Sequence, residues 1–416
     1  MTLAGSGQRP RLPPGPYLVV GLARSGRAAA EILREHGETI GSDSGFSEPV
    51  EGVETHAGTD GVELLDRVAT VVKSPGVPRE APVVAEALGR GLEVVGEIEL
   101  AWRLLPNPFV AVTGTNGKTT TVSLLGAIYE AAGLPVAVAG NVGTPVASLV
   151  GALAPGATVV CETSSFQLED TSAFRAECAV LLNLEEDHLD RHHTFERYRA
   201  AKLRAFANQG PDDLAVAPPG LDLPGRARRT GFAEDIRPED LALRGEHNLE
   251  NARAAAAAAR GMGVDEAALR QALREFAGVP HRLEEVGRVD GVLFVNDSKA
   301  TNVASAVRGL TAFPGGVHAI LGGSLKGGGF RGLREAAGHC RALYLIGQAE
   351  DELETDLEGA APIHRCGELA TAVDAAARAA DPGEVVLLSP ACASYDQYAD
   401  YEERGAHFRR LVAERG

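Results

Sequence analysis

Short apolar runs alternate with stretches of helical periodicity along most of this chain. Tyr17 to Gly21 reads as a buried strand, Ser25 to His36 as a helix and Glu38 to Gly41 as a second strand, which opens a βαβ unit. Val68 to Pro78 (VATVVKSPGVP) gives another buried strand followed by a turn, and Pro106-Asn107-Pro108 punctuates the chain before a new apolar run at Phe109 to Val112. Strands at Val159 to Cys161 and Val180 to Leu182 follow, then a long alanine-rich helix after Asn251. Phe276 to Arg282 (FAGVPHR) breaks the helical pattern. Beyond it Val292 to Val295, Ala319 to Leu321, Leu343 to Ile346 and Val385 to Leu388 read as four more buried strands with helices between them. The alternation predicts an α/β protein of three domains, with limits at 1–107, 108–279 and 280–416. Pro211 to Pro224 is the most linker-like interior stretch.

Composition narrows this picture. A chain of 416 residues exceeds one compact core and suits two or three domains, and 44% hydrophobic with 23% charged residues is ordinary for a globular protein. A formal charge of −17 argues against nucleic-acid or anionic-membrane partners, which require a basic face. No apolar run approaches the ~18 residues of a membrane span, and the polar, Pro/Gly-rich start lacks the core of a signal peptide, so a cytoplasmic location is expected. The five cysteines are odd in number and widely spaced, which suits reduced core thiols. Of the 40 basic residues only Lys73, Lys118, Lys202, Lys299 and Lys326 are lysines. Where arginine is accepted so freely, a retained lysine marks a place for a compact ammonium or for an amine able to lose its proton.

Four of those lysines fall in motifs. Thr113-Gly114-Thr115-Asn116-Gly117-Lys118-Thr119-Thr120 lies between an apolar strand and a helix opening at Thr119, the context of a phosphate-binding loop. Its amides and the helix N-terminus suit phosphate oxygens, Lys118 the outer phosphates and the Thr119 hydroxyl a Mg²⁺ ion. Val112 replaces the first glycine of the common pattern, so the loop is a variant. Glu162 sits past the end of a buried strand, where ligands bind in open α/β sheets, and is either a Mg²⁺ ligand or a solvated strand-end carboxylate. The run from Asp187 to His193 is rich in ligand types but lacks a zinc-site spacing, which favours magnesium or manganese. Phe195 to Lys202 reads as a helix able to carry Lys202 back toward this site. Gly21-Leu22-Ala23-Arg24-Ser25-Gly26 is an incomplete dinucleotide fingerprint with Ala23 in the second glycine's place; Asp43 ends the next strand, where ribose hydroxyls are accepted.

Taken together, TGTNGKTTT, ETSSFQL, EDHLDRH with YRAAKLR, EHNLENARAAAA, PHRLE, NDSKATN and SPACASYDQY resemble the Mur ligases across residues 113 to about 404, and ETSSFQL, SPACASYDQYADYEERG and the GEIEL at Gly96 to Leu100 are most similar to the D-glutamate-adding branch. The resemblance implies a Rossmann-like N-terminal domain for a UDP-sugar, a central P-loop ATPase-type domain and a Rossmann-like C-terminal domain. It also implies ATP, two Mg²⁺ ions, UDP-N-acetylmuramoyl-L-alanine and D-glutamate as the small molecules bound, by a monomer. Arg24, Ser25, Asp43, Ser74 and Asn141 are then the UDP-sugar contacts. Gly114, Thr115, Asn116, Gly117, Lys118, Thr119, Thr120, Asn251, Arg282 and Asp297 serve ATP, and Lys299, Thr301, Lys326, Ser394 and Tyr401 serve D-glutamate. Thr119, Glu162, His188 and a carbamylated Lys202 hold metal, with Lys118, Lys202 and His188 catalytic. Only a deprotonated amine reacts with CO₂ and arginine has none to offer, which gives the lysine at 202 a chemical reason. Asn248 reads as a helix cap, and Lys73, which the resemblance leaves without a role, is expected at the uracil cleft.

Overall fold

The valine- and isoleucine-rich runs assemble into three sheets, seen in a computed structural model that describes residues 9–45, 47–243, 245–325 and 329–416. The chain divides into two compact units, Met1–Phe276 and Ala277–Gly416. The first unit opens with β1 (Tyr17–Val20), α1 (Arg24–Leu33), β2 (Thr39–Asp43), β3 (Glu54–Ala57), β4 (Thr70–Lys73), α2 (Pro82–Gly89), β5 (Glu93–Gly96) and α3 (Glu97–Leu104). Its strands are parallel in the order β3-β2-β1-β4-β5. The order reverses between β1 and β4, so a crevice opens outside their carboxyl ends.

The same unit continues with β6 (Phe109–Thr113), α4 (Lys118–Ala131), β7 (Val136–Gly140), β8 (Thr158–Glu162), α5 (Ser165–Leu168), β9 (Cys178–Leu181), α6 (Leu189–His192), α7 (Phe195–Ala207), β10 (Leu214–Val216), β11 (Arg228–Thr230), α8 (Glu246–Gly261) and α9 (Glu266–Glu275). Its second sheet is parallel in the order β11-β10-β9-β6-β8-β7. Every residue of β6, β8 and β9 is buried, as continuous apolar strands covered on both faces must be. The alanines of α8 sit in one cluster with Val122, Leu125 and Ile128 of α4, and small side chains let these two helices approach closely.

The second unit contains β12 (Glu284–Val289), β13 (Val292–Asn296), α10 (Val303–Thr311), β14 (Val317–Gly322), α11 (Arg334–Ala337), β15 (Cys340–Ile346), α12 (Glu350–Leu357), β16 (Ile363–Gly367), α13 (Leu369–Ala379), β17 (Val385–Leu388) and α14 (Tyr401–Ala413). They form a sheet in the order β12-β13-β17-β14-β15-β16, parallel except for the antiparallel edge strand β12. One apolar cluster covers each face.

Several boundaries differ from the sequence reading. Helix α1 ends at Leu33, β2 runs on to Asp43, and α4 starts at Lys118 on the left-handed Gly117 (φ 83°). Helix α8 starts at Glu246 with Gly245 at its cap, so Asn248 lies in the first turn and not at the cap position. No helix among the described residues is long and apolar enough to cross a membrane.

Candidate functional site

The phosphate loop hangs between three adjacent strand ends. β6 is flanked by β8 and β9, so the loop leaves Thr113 with Glu162 on one side and Asn183 on the other. Asn183 fixes its outer half: its side-chain oxygen accepts from Asn116 N at 2.8 Å and its carbonyl from Thr115 N at 3.1 Å. The Thr115 hydroxyl lies 2.9 Å from Tyr198 Oη. Lys118 Nζ donates back to the carbonyls of Gly114 (2.8 Å) and Thr115 (2.9 Å), which draws the loop into a ring. Asn251 of α8 is packed so close to Gly117 that a Cβ there would collide with its amide, placing a nearly buried polar side chain against the turn. Thr119 is buried in the first turn of α4, and Thr120 is half-buried beside it.

Helix α7, capped by the Thr194 hydroxyl, carries Tyr198 and Lys202 one turn apart on its inner face. Lys202 is 2% exposed, donates to Gly114 O at 2.7 Å and lies 4.6 Å above the Tyr198 ring. Burial first, and then the neighbouring Lys118 charge, push its amine down to about 7, against a smaller upward pull from Asp187 and Glu162. At neutral pH this lysine therefore spends a large part of its time uncharged. Glu162 is also buried; its Oε1 accepts from Asn141 Nδ2 at 2.9 Å, while Oε2 has no hydrogen-bond partner among the described residues. His188 is exposed and left-handed (φ 53°), with its ring 4.7 Å from that of Phe166.

A buried carboxylate oxygen without a donor is costly unless a cation or water completes it. Glu162 Oε2 therefore fits the Mg²⁺ reading. Among the described residues no three His, Cys, Asp or Glu side chains gather as a metal site. Of the expected metal set, only Glu162 and His188 are of those types; Thr119 and Lys202 are its other members.

All five expected UDP-sugar residues, Arg24, Ser25, Asp43, Ser74 and Asn141, line one cleft of about 760 Å³ at the carboxyl ends of β1 and β4. Gly26 lets α1 approach the loop, since a Cβ there would strike the carbonyl of Gly21. Ala23 occupies the second glycine's place without strain because its φ of −71° suits any L residue. The Asp43 carboxylate accepts from Leu22 N at 2.6 Å and Gly45 N at 2.9 Å, so it shapes the glycine turn from within the cleft. Asn141 touches both the cleft and Glu162, which brings the two sites edge to edge.

Lys73 departs from expectation. It is fully buried and absent from the cleft lining; its Nζ lies 2.7 Å from Asp170 Oδ2 and 3.6 Å from Glu169 Oε1. A fully desolvated ammonium needs a carboxylate more than the cleft needs a donor.

In the second unit Asp297 follows β13, and burial raises its carboxyl to about 7 despite the Ser389 hydroxyl at 2.8 Å. Lys299 Nζ sits 5.2 Å from the centre of the Tyr401 ring, and the Tyr401 carbonyl accepts from Ser298 Oγ at 2.8 Å. Ser394 is buried, Thr301 half-buried and Arg282 exposed. Lys326 lies outside the described residues. The sequence reading passed over Arg404, which is 1% exposed and donates to the carbonyls of Ser298, Gly322, Cys392 and Ala393. It gathers the ends of β13, β14 and β17, where Asp297, Lys299 and Ser394 lie. Phe166, Gln167, Arg191 and Tyr198 were likewise missed as site residues, although each falls inside a quoted motif. Their roles depend on three-dimensional neighbours that no spacing encodes.

Residues 112–224 match the Mur ligase middle domain and residues 281–392 the Mur ligase glutamate ligase domain. The chain is 44% identical to the UDP-N-acetylmuramoylalanine–D-glutamate ligase of Acidobacterium capsulatum, over 96% of each chain. It is 41% identical to the ligase of the same name from Salinibacter ruber, over 95% of this chain and 96% of that one. Its fold is similar to that of the MurF ligase from Thermotoga maritima solved with ADP, with a TM-score of 0.59, 18% identity and coverage of 97% of this chain and 96% of the other.

Proposed function

This chain belongs to the Mur ligase family, and from that premise we propose how its residues run the reaction. The enzyme joins D-glutamate to UDP-N-acetylmuramoyl-L-alanine in peptidoglycan synthesis, and it uses ATP. A carboxylate does not form an amide at neutral pH until its oxygen becomes a better leaving group. The alanyl carboxylate oxygen attacks the γ-phosphorus, the bond to the β–γ bridging oxygen breaks, and ADP leaves an acyl phosphate. The D-glutamate amine then adds to the acyl carbon, its proton passes to solvent or phosphate, and the carbon–oxygen bond to phosphate breaks.

The chain's residues position these partners and balance their charge. Lys118 exchanges its two loop carbonyls for the outer phosphates, the loop amides take the remaining oxygens and Asn251 contacts adenine. Thr119, Glu162, His188 and Lys202, the last as its carbamate, would hold Mg²⁺, two ions in all, which offset charge on phosphoryl oxygens when bound. Arg24, Ser25, Asp43, Ser74 and Asn141 orient the UDP-sugar. In the second unit Arg282 and Asp297 serve ATP, while Lys299, Thr301, Lys326, Ser394 and Tyr401 meet the carboxylates of D-glutamate. The working domain limits are 1–107, 108–279 and 280–416, and the protein works as a cytoplasmic monomer.

The observation that carries this reading is Lys202, an amine lowered to about 7 and donating to a phosphate-loop carbonyl at 2.7 Å. The test is phosphate release from ATP with UDP-N-acetylmuramoyl-L-alanine and Mg²⁺, comparing D-glutamate with L-glutamate, L-alanine, L-lysine and meso-diaminopimelate. Release with D-glutamate alone is expected; release with another amino acid moves the protein to another branch of the family.

A further inference from the structure

Two cations to which the proposed reaction assigns no role converge on one backbone carbonyl. Lys73, at the end of β4, donates to Val77 O at 2.9 Å. Arg191, on α6, donates to the same oxygen at 2.7 Å and to Pro75 O at 3.4 Å. Pro75 and Val77 belong to the turn after β4, a wall of the UDP-sugar cleft. The charges are balanced beneath that wall, where Asp170 faces Lys73 at 2.7 Å and Glu169 lies 3.1 Å from Arg191. Charge-assisted hydrogen bonds are roughly twice as strong as neutral ones, so the turn is fixed from below.

The two cations differ in what else they touch. Lys73 ends in its carboxylates. The Arg191 guanidinium also lies 4.6 Å from the centre of the Phe166 ring, and the His188 ring packs 4.7 Å from the same centre. Arg191 and His188 are also joined by the backbone of α6, whose Arg191 N donates to His188 O at 3.1 Å. One arginine thus grips the wall of the sugar cleft and shares an aromatic ring with the expected metal ligand.

We propose that Arg191 is a positioning residue coupling occupancy of the UDP-sugar cleft to the placement of His188, so that UDP-sugar and magnesium–nucleotide tighten each other's binding. Lys73 is the fixed anchor of the wall and takes no part in the coupling. This rests on the assignment of the cleft to the UDP-sugar. A ligand that settles against Pro75 and Val77 sets the position of Arg191, and Arg191 and Phe166 then restrict the orientations open to His188. Linkage makes the effect reciprocal.

The test is calorimetric titration of UDP-N-acetylmuramoyl-L-alanine into the full chain, with and without Mg²⁺ and a non-hydrolysable ATP analogue. Wild-type protein should bind the UDP-sugar about 10-fold more tightly in their presence, within the usual range of such couplings. Arg191→Met should bring that ratio close to one, and Arg191→Lys, which keeps a charged donor, should restore part of it. Lys73→Met paired with Asp170→Leu removes the buried pair together and should weaken UDP-sugar binding equally in both conditions, leaving the ratio intact. If Arg191→Met melts below assay temperature, Phe166→Leu carries the same prediction. A wild-type ratio of one, or an Arg191→Met ratio equal to wild type, overturns the coupling. Loss of the ratio in the Lys73 pair overturns the division of roles. Wild-type protein that binds no UDP-sugar at all defeats the functional reading as well, whereas phosphate release with D-glutamate and a ratio of one defeats this inference alone.

Discussion

At the scale of single residues, chemistry here is set by burial more than by residue type. Lys202, only 2% exposed, has its amine lowered to about 7, first by burial and then by the neighbouring Lys118 charge. Below that pH the amine is protonated and has no lone pair for CO₂. Activity should therefore fall as pH drops through about 7 and recover on adding bicarbonate, which a pH–rate series in degassed and bicarbonate-supplemented buffers checks. Lys202→Arg keeps the charge but offers no amine to carbamylate, and should lower kcat by about 100-fold, the upper end for losses at metal sites. The same shift links stability to pH. The unfolded chain holds a proton on this lysine up to about pH 10.4 and the native chain only to about 7, so its contribution favours the native state increasingly across that window. Lys202→Met should flatten the slope of melting temperature against pH there. The motif and the scarcity of lysine singled out residue 202 in the sequence; the amine's shift comes from burial first and then from the neighbouring Lys118 charge, both products of packing.

At the scale of elements, the phosphate loop shows how a turn and a distant helix constrain each other. Gly117 takes φ 83° as the cap of α4, and Asn251 of α8 fills the space a side chain would need. Gly117→Ala meets both obstacles, an unfavourable φ and a collision. It should cost about 1–3 kcal/mol of stability and reduce ATP-analogue affinity more than UDP-sugar affinity, as denaturant melts and calorimetry would show. The glycine was legible in its motif, but its dependence on Asn251 was not, because more than a hundred positions separate them in the chain. Strands followed the same logic. Fully buried β6, β8, β13 and β17 appear as apolar runs, whereas the exposed β11 (RRT) and the partly exposed β3 (ETHA) and β16 (IHRCG) carry no apolar signal and exist only because a neighbouring strand pairs with them.

At the scale of the whole molecule, two units each carry their own apolar clusters. Residues 277–416 hold a complete six-stranded sheet with a cluster on either face, so this segment made alone should unfold cooperatively on heating, as followed by circular dichroism. A gradual, sigmoid-free melt would show that its core depends on the rest of the chain. The sequence by itself determined the α/β class, the phosphate loop, the motif that holds the expected metal ligands and the family, because each rests on local patterns: apolar period, glycine placement and residue spacing. Tertiary structure alone decided that Lys73 is a buried partner of Asp170, that Asn141 joins the cleft at the ends of β1 and β4 to Glu162, and that Arg191 grips the wall of that cleft. Each of those roles depends on desolvation or on a contact between distant segments, and both arise only when the chain has packed.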